Sequence, residues 1–285
     1  MASAGSSGVV SILVRTMGRR EMLLSRALRS IAFQTHPNWQ IILVNNGAAR
    51  EELEAFLERE HASLLPRMRY IHLPQALGRG AALNAGLDVC EGDFVTVLDD
   101  DDSWHERYLE ACVQALNLET GAAAAICRSR IVLEEWRDGE LKLLESVSFN
   151  SRLRRLSLHS LARCNKFTIH ALLYRRSILE EIGNYNSSLE ALEDWEFNLR
   201  LFLRFRSVVV QEELAYYHKR PSASDITANS DMGEHTRSDR WIRRHYLRSL
   251  RSGGRERLFG LLLAYFGWQN RLTQWGRALL RKPRL

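Results

Sequence analysis

Short apolar runs alternate with helix-length amphipathic stretches through the first third of the chain. Residues 9–14, 40–44, 69–73 and 94–98 are rich in Val, Ile and Leu, and runs of this length bounded by polar residues read as strands buried on both faces, as in parallel sheets. Between the first two, residues 21–34 place Leu23, Leu24, Ala27, Leu28 and Ile31 on one face, which predicts a helix packed on the sheet. Asn46-Gly47 closes a strand-to-helix loop, and Glu51-Glu52 suit the helix N-terminus that follows. A further amphipathic helix is expected over 106–118. The repeated βα order predicts an α/β fold with a mostly parallel central sheet, right-handed crossovers and flanking helices.

The pattern then changes. Residues 130–145 alternate around Asp138-Gly139, the signature of a hairpin, placed here at the sheet edge. A strand at 170–174, a helix at 177–182 stopped by Gly183, and a strong helix at 193–205 follow. The strand 207–210 and the segment 215–220 are expected to return the chain to the main crevice. Beyond Pro221 the run SASDITANSDMGEHT is polar and reads as a mobile loop suited to a lid. The remainder reads as helical.

The most informative stretch is FVTVLDDDDSW, residues 94–104, where a buried strand ends in four consecutive carboxylates. In open α/β sheets, ligands bind at the carboxyl ends of the strands. Four adjacent acids repel one another, so a cation is expected among them. A hard divalent ion, Mg2+ or Mn2+, held by one or two carboxylates plus substrate phosphates, fits that chemistry and implies a nucleotide-type substrate. The alternative is a solvated acidic turn leading into a helix N-cap.

Composition narrows the class. At 285 residues and 45% hydrophobic, the chain is long enough for one large domain with an appendage. Cys90, Cys112, Cys127 and Cys164 have no metal-ligand spacing and suggest no disulfide framework, so a reducing compartment is expected. Eight small polar residues precede the strand pattern at Val9, too few for a signal peptide. No run reaches the ~20 apolar residues of a membrane span. The net charge of +6 is uneven: from Arg237 onward thirteen Arg and Lys face two acids, a balance of +11, which leaves −5 for residues 1–236. Within that basic tail, residues 258–268 are apolar and flanked by Arg255, Arg257 and Arg271. This segment suits either an interfacial helix on an anionic bilayer or a helix packed on the domain. The tail carries no nucleic-acid recognition motif, and no nucleic-acid partner is expected.

Three segments in order, VSILVRTMGRREMLLSRALRSIAFQTHPNWQIILVNNG, GRGAALNAGLDVCEGDFVTVLDDDDSW and ALEDWEFNLRL, resemble the family-2 glycosyltransferases of the GT-A fold, over roughly residues 9–220. The resemblance implies a metal-dependent, inverting transfer of a sugar from a nucleoside-diphosphate sugar to a glycan or lipid-linked acceptor, in cell-surface polysaccharide or lipopolysaccharide synthesis. It implies a cytoplasmic enzyme, peripheral on the membrane if the tail binds lipid. The chain then divides into a flexible N-terminus (1–8), a GT-A catalytic domain (9–220), a polar linker (221–236) and a basic helical extension (237–285).

Residue by residue, Asp99 and Asp101 match the family's Asp-x-Asp motif. By resemblance Asp101 ligates the metal and Asp99 lies near the ribose and metal waters, with Asp100 a further donor contact. Glu193-Asp194 matches the Glu-Asp motif, in which Asp194 is the catalytic base for the acceptor hydroxyl and Glu193 positions that acceptor. An acid pair at a helix N-terminus is also common for dipole reasons alone. Arg15, Thr16 and Asn46 fall where the first two strands meet the donor. Here Asn45-Asn46-Gly47 replaces the family's Asp-Asp-Gly, adding donors where Asp only accepts. Arg15 reads either as a phosphate contact or as a salt-bridged Arg. Arg79 and Asn84 match the Gly-rich turn and Asn-x-Gly segment. His218 and Arg220 fall near the family's contact to the leaving diphosphate, with an exposed basic strand end as the alternative.

Two other classes compete. A sugar-nucleotide nucleotidyltransferase would carry a Gly-rich phosphate loop after the first strand, of which Met17-Gly18-Arg19-Arg20 is a poor version. A degenerate, non-catalytic glycan- or membrane-binding module would tolerate loss of the acidic motifs, and both motifs are present.

Overall fold

The computed structural model of the chain describes residues 8–18, 21–221, 232–248 and 258–269. Strands β1 (Val10–Thr16), β2 (Trp39–Asn46), β3 (Met68–Leu73) and β4 (Phe94–Asp99) run parallel in the spatial order β3-β2-β1-β4. All four carboxyl ends therefore open on one crevice. The sheet continues antiparallel through β8 (Leu172–Arg175) to β6 (Ala122–Arg137), then parallel to β9 (Arg206–Lys219). Two-residue β5 (Ser103–Trp104) pairs with β9, and β7 (Glu140–Ser148) pairs with β6. The result is a mixed α/β sheet.

Helices cover the sheet because their apolar stripes have nowhere else to go. In α1 (Glu21–Ala32) the same five residues expected from periodicity are buried. Helices α2 (Arg50–His61), α3 (Arg79–Leu87) and α4 (Tyr108–Leu118) follow β2, β3 and β5 in turn. Gly86 lets α3 approach closely, since a Cβ there would meet Leu13 and Val44 side chains at 3.0 and 3.1 Å.

The second half holds α5 (Leu158–Arg163), capped by Ser157, the short α6 (Leu179–Ile182), α7 (Glu193–Arg204), α8 (Met232–Arg248) and a final helix α9 (258–269). The Asp138-Gly139 hairpin forms as expected, with positive φ of 53° and 81° at its two central residues, the twist that a two-residue turn needs. Only β7 lies at an edge, however; β6 is an interior strand between β8 and β9. The segments 207–210 and 215–220 are one irregular strand, β9, whose register shifts opposite Cys127, Arg128 and Ser129 bend it back toward the crevice.

The polar run after Pro221 is only partly as expected. Residues 222–231, on which the lid expectation falls, lie outside the described residues, and α8 already begins at Met232. Ser238 on α8 accepts a hydrogen bond from the backbone, with Ala191 N–H donating to Ser238 Oγ at 3.2 Å. Helix α9 packs on the domain: Phe259, Leu263 and Phe266 are buried, and the Arg243 guanidinium donates to the carbonyls of Leu263 and Ala162 at 2.9 and 3.2 Å. Leu258, Leu261, Tyr265 and Trp268 face outward.

Candidate active site

The β1–β4 register places Arg15 beside Asp99 at the crevice end of the sheet. Arg15 grips Asp99 with two hydrogen bonds, 2.6 and 3.1 Å, and reaches Glu193 Oε1 at 2.9 Å with its remaining arm. Burial works against the charge on Arg15, but the carboxylates of Asp99 and Glu193 outweigh it and hold its pKa above the usual arginine range. One guanidinium thus ties the end of β4 to the start of α7. Of the two readings of Arg15, the geometry is that of the salt-bridged Arg.

The other three carboxylates are also engaged, and they are buried rather than part of a solvated turn. Thr16 Oγ1 donates to Asp100 Oδ2 at 2.7 Å. Arg220, fully buried, forms an ion pair with Asp101, and Arg26 from α1 donates to the Asp101 carbonyl at 2.5 Å. Asp102 accepts the His218 backbone N–H at 2.9 Å and lies 2.9 Å from His170 Nδ1. Burial disfavours a charged His170, but Asp102, supported by Asp99 and Asp101, outweighs it and raises the pKa. The expected compensating cation is therefore present as arginine side chains, and the repulsion argument alone does not demand a metal.

His218 and Arg220 sit inside this network. The His218 ring spans Glu134, at 2.8 Å, and Ser103, at 2.9 Å. Glu134 also accepts from Arg26 at 2.6 Å, and His218 and Arg26 together hold its carboxyl below the usual range against the effect of burial. Neither His218 nor Arg220 is an exposed strand end. Both are buried, with Arg220 paired to Asp101 in the cavity wall.

A cavity of about 100 Å³ opens over these residues, lined by Arg15, Thr16, Asn46, Arg79, Tyr217 and the four aspartates, with Met17 at its rim. Seven of the expected donor and metal residues thus share one wall. Asn84 is not among them: its amide donates to the Tyr185 carbonyl and accepts the Tyr185 N–H, both at 2.9 Å, so it clamps a loop. Asn45 explains one departure from the family pattern. It donates to Tyr70 Oη and the Ala48 carbonyl while accepting the Ala48 N–H, and an ionised Asp lacks the two donations.

Asp194 lies beside Glu193 in the first turn of α7. Its carboxylate accepts the Asn165 amide at 2.7 Å and its own helix's Trp195 N–H at 2.7 Å. Burial, followed by the neighbouring Glu193 charge, pushes its pKa up to about 7, where a carboxylate is a competent base near neutrality. The residue before the pair, Leu192, has φ of 62°, a left-handed conformation that costs roughly 1–3 kcal/mol for a residue with a Cβ and clusters at functional sites.

The glycosyl transferase family 2 model matches residues 11–183 of the chain. The chain belongs to that family. It shares 28% identity over 193 residues, 67% of its own length and 69% of the relative's, with the PGL/p-HBAD biosynthesis glycosyltransferase of Mycobacterium bovis (strain BCG / Pasteur 1173P2). The S. aureus TarS 1-349 structure in complex with UDP-GlcNAc superposes with a TM-score of 0.68 at 19% identity, over 90% of this chain and 71% of that one. The mannosyltransferase PcManGT from Pyrobaculum calidifontis, in complex with GDP-Man and Mn2+, superposes at 0.59 and 17% identity, over 97% and 81%. The fold is GT-A, and family membership sets aside the nucleotidyltransferase and the binding-module readings in favour of a glycosyltransferase.

Sequence reasoning missed Arg26, Glu134, Asn165, His170 and Tyr217. Arg26, Glu134, Asn165 and His170 lie far along the chain from the residues they contact, and no local pattern marks them. His235, on α8, was also missed; burial and then the nearby Arg79 charge lower its pKa.

Two outcomes follow from this geometry. With Asp194 as base, kcat/KM falls about tenfold per pH unit below a limb near 7, and Asn165→Ala, which removes a donor to the charged carboxylate, moves that limb to higher pH. A pH–rate profile with its limb near an ordinary Asp value in both proteins would sink the assignment. Arg220→Met removes the guanidinium paired with the buried Asp101 carboxylate and lowers unfolding stability by roughly 3–5 kcal/mol, read from urea denaturation. Unchanged stability with weakened nucleotide binding would instead return Arg220 to the donor.

Proposed function

We propose that this glycosyltransferase moves a sugar, with inversion, from a nucleoside-diphosphate sugar to a hydroxyl of a glycan or lipid-linked acceptor, in cell-surface polysaccharide or lipopolysaccharide synthesis. The observation that carries the reading is Arg15, whose one side chain binds both Asp99 at the donor cavity and Glu193 beside the raised-pKa Asp194. An acid cluster suited to a diphosphate and a base suited to a hydroxyl are thereby held as neighbours. Proximity of this kind is a large part of what a two-substrate enzyme contributes.

In this mechanism Asp194 accepts the proton of the attacking hydroxyl, and Glu193 orients the acceptor while Arg15 fixes its carboxylate. Arg79, Thr16 and Asn46 line the donor side. Asp99 and Asp101 would hold Mg2+ or Mn2+, hard ions that suit carboxylate oxygens together with substrate phosphates; among the described residues no group of three or more acidic, His or Cys side chains could hold a metal ion by itself. A bound ion there supplies Lewis-acid neutralisation of the leaving diphosphate. The solved structures with UDP-GlcNAc and with GDP-Man and Mn2+ make uridine and guanosine diphosphates the first donors to test.

Membrane attachment belongs to the same reading. The buried face of α9 seats it on the domain, while Leu258, Leu261, Tyr265 and Trp268 form an outward apolar stripe beside an Arg-rich tail. No helix among the described residues is long and apolar enough to cross a membrane. The stripe suits the cytoplasmic face of an anionic bilayer.

A thermal-shift screen of UDP, dTDP, GDP and CMP, each with and without Mn2+, tests the donor site, since a ligand bound only by the native state raises Tm. One nucleotide shifts the wild type in a metal-dependent way, Asp101→Asn abolishes the shift, and Asp194→Asn keeps it but loses about 10²–10⁴-fold in transfer. A normal shift in Asp101→Asn, or near-normal turnover in Asp194→Asn, removes that residue from the mechanism. For the membrane, the wild type co-sediments with phosphatidylglycerol vesicles and the Leu261→Glu/Trp268→Glu variant stays in the supernatant; equal sedimentation of both rules out the α9 stripe.

A further inference from the structure

A second cavity, of about 550 Å³, lies away from the donor cavity and shares no residue with it. Its wall carries Arg152, Arg155 and Lys166, its apolar part Leu153 and Leu156, and no carboxylate lines it. Arg152 and Arg155 make no ion pair with another described residue. The wall is nevertheless built: Asn150 donates to the Lys166 carbonyl at 3.0 Å, and Arg128 donates to the Leu153 carbonyl at 2.9 Å. Three cations thus face one open space without an acid to balance them, and an anion entering it is attracted by all three.

Its position relative to the base gives the cavity a role. Lys166 is the chain neighbour of Asn165, whose amide holds Asp194 at 2.7 Å. On the other side, Glu193 is held by Arg15, which lines the donor cavity. The first turn of α7 is therefore linked to the donor cavity through Glu193 and Arg15, and to the second cavity through Asp194 and Asn165, the neighbour of Lys166.

We propose that this cavity binds a phosphate group carried by the acceptor, so that the acceptor class is a phosphate ester rather than a neutral glycan. The proposal rests on the glycosyl-transfer reading for the role of the cavity, though not for its binding of phosphate. Arginine favours phosphate among anions because its planar fork makes two parallel charge-assisted hydrogen bonds. Leu153 and Leu156, half-buried beside the cations, add a surface for the carbon chain of an amphiphilic ester. Both a lipid phosphate and a soluble phosphate ester present this chemistry.

Calorimetric titration of the full chain, in EDTA to remove metal-assisted binding at Asp99 and Asp101, separates these cases. The probes are octyl phosphate below its micelle concentration, glycerol 3-phosphate, and octyl glucoside as the neutral analogue. Wild type and an Arg29→Gln/Arg69→Gln charge control bind the phosphates alike. Arg152→Gln/Arg155→Gln binds them about tenfold or more weakly, the worth of one charge-assisted hydrogen bond. Tighter binding of octyl phosphate than of glycerol 3-phosphate assigns the source to lipid, and equal binding assigns it to a soluble ester. No phosphate binding by wild type, equal loss in both double variants, or octyl glucoside binding as tight as octyl phosphate overturns the proposal. Melting curves of each variant verify folding. The metal-dependent nucleotide shift is recorded on the same proteins: its absence in wild type counts against glycosyl transfer, whereas its persistence with no phosphate binding counts against the acceptor proposal alone.

Discussion

Four consecutive carboxylates at the end of β4 are tolerable in a crevice only because each has its own counterpart, delivered by a different part of the chain. Arg15 on β1 takes Asp99, Thr16 takes Asp100, Arg220 after β9 takes Asp101, and His170 with the His218 backbone takes Asp102. Removing one partner from such a set leaves a buried charge uncompensated, which costs more than the pair itself is worth. The acidic run is therefore the point at which β1, β4, β9 and the turn before β8 are locked in register.

The same network prepares the chemistry. Arg15 has one guanidinium and two clients, so Asp99 and Glu193 cannot move independently, and the Glu193-Asp194 turn is further held by the left-handed Leu192 and by Asn165. A carboxylate with its pKa near 7 beside a second carboxylate is costly to keep buried. That cost is offset by hydrogen bonds from Asn165 and Trp195, which favour the charged form without quenching its basicity.

The charge asymmetry follows a comparable logic. The acidic body holds the carboxylate-lined cavity, while positive charge is concentrated beyond Arg237 and in the residues around the second cavity. Helix α9 bears out the packed reading of the apolar tail segment: one face is core, and Leu258, Leu261, Tyr265 and Trp268 on the other are exposed. Its inner contacts, including the T-shaped pair of His159 with Phe266 at 5.0 Å, bring it against α5, whose start borders the second cavity.

Local physics alone determined much of this protein. Buried-strand runs, the α1 stripe and the Asp138-Gly139 turn depend on the period of side chains and on the φ values that turns require, so the parallel half of the sheet was legible. The resemblance carried Asp99, Asp101 and Glu193-Asp194 to one crevice, and Arg79, Thr16 and Asn46 to the wall of one cavity. The tertiary structure decided what each charge does. Arg15, His218 and Arg220 look alike in sequence as candidates for phosphate; long-range contacts bury His218 and Arg220, while Arg15 stays in the cavity wall tied to Asp99 and Glu193. Asn84 was spent on a loop, and β9 became one bent strand because its partners on β6 shift register. Glu134, Asn165 and His170 have no local signature, because a buried charge selects partners by proximity in space, which chain order does not encode.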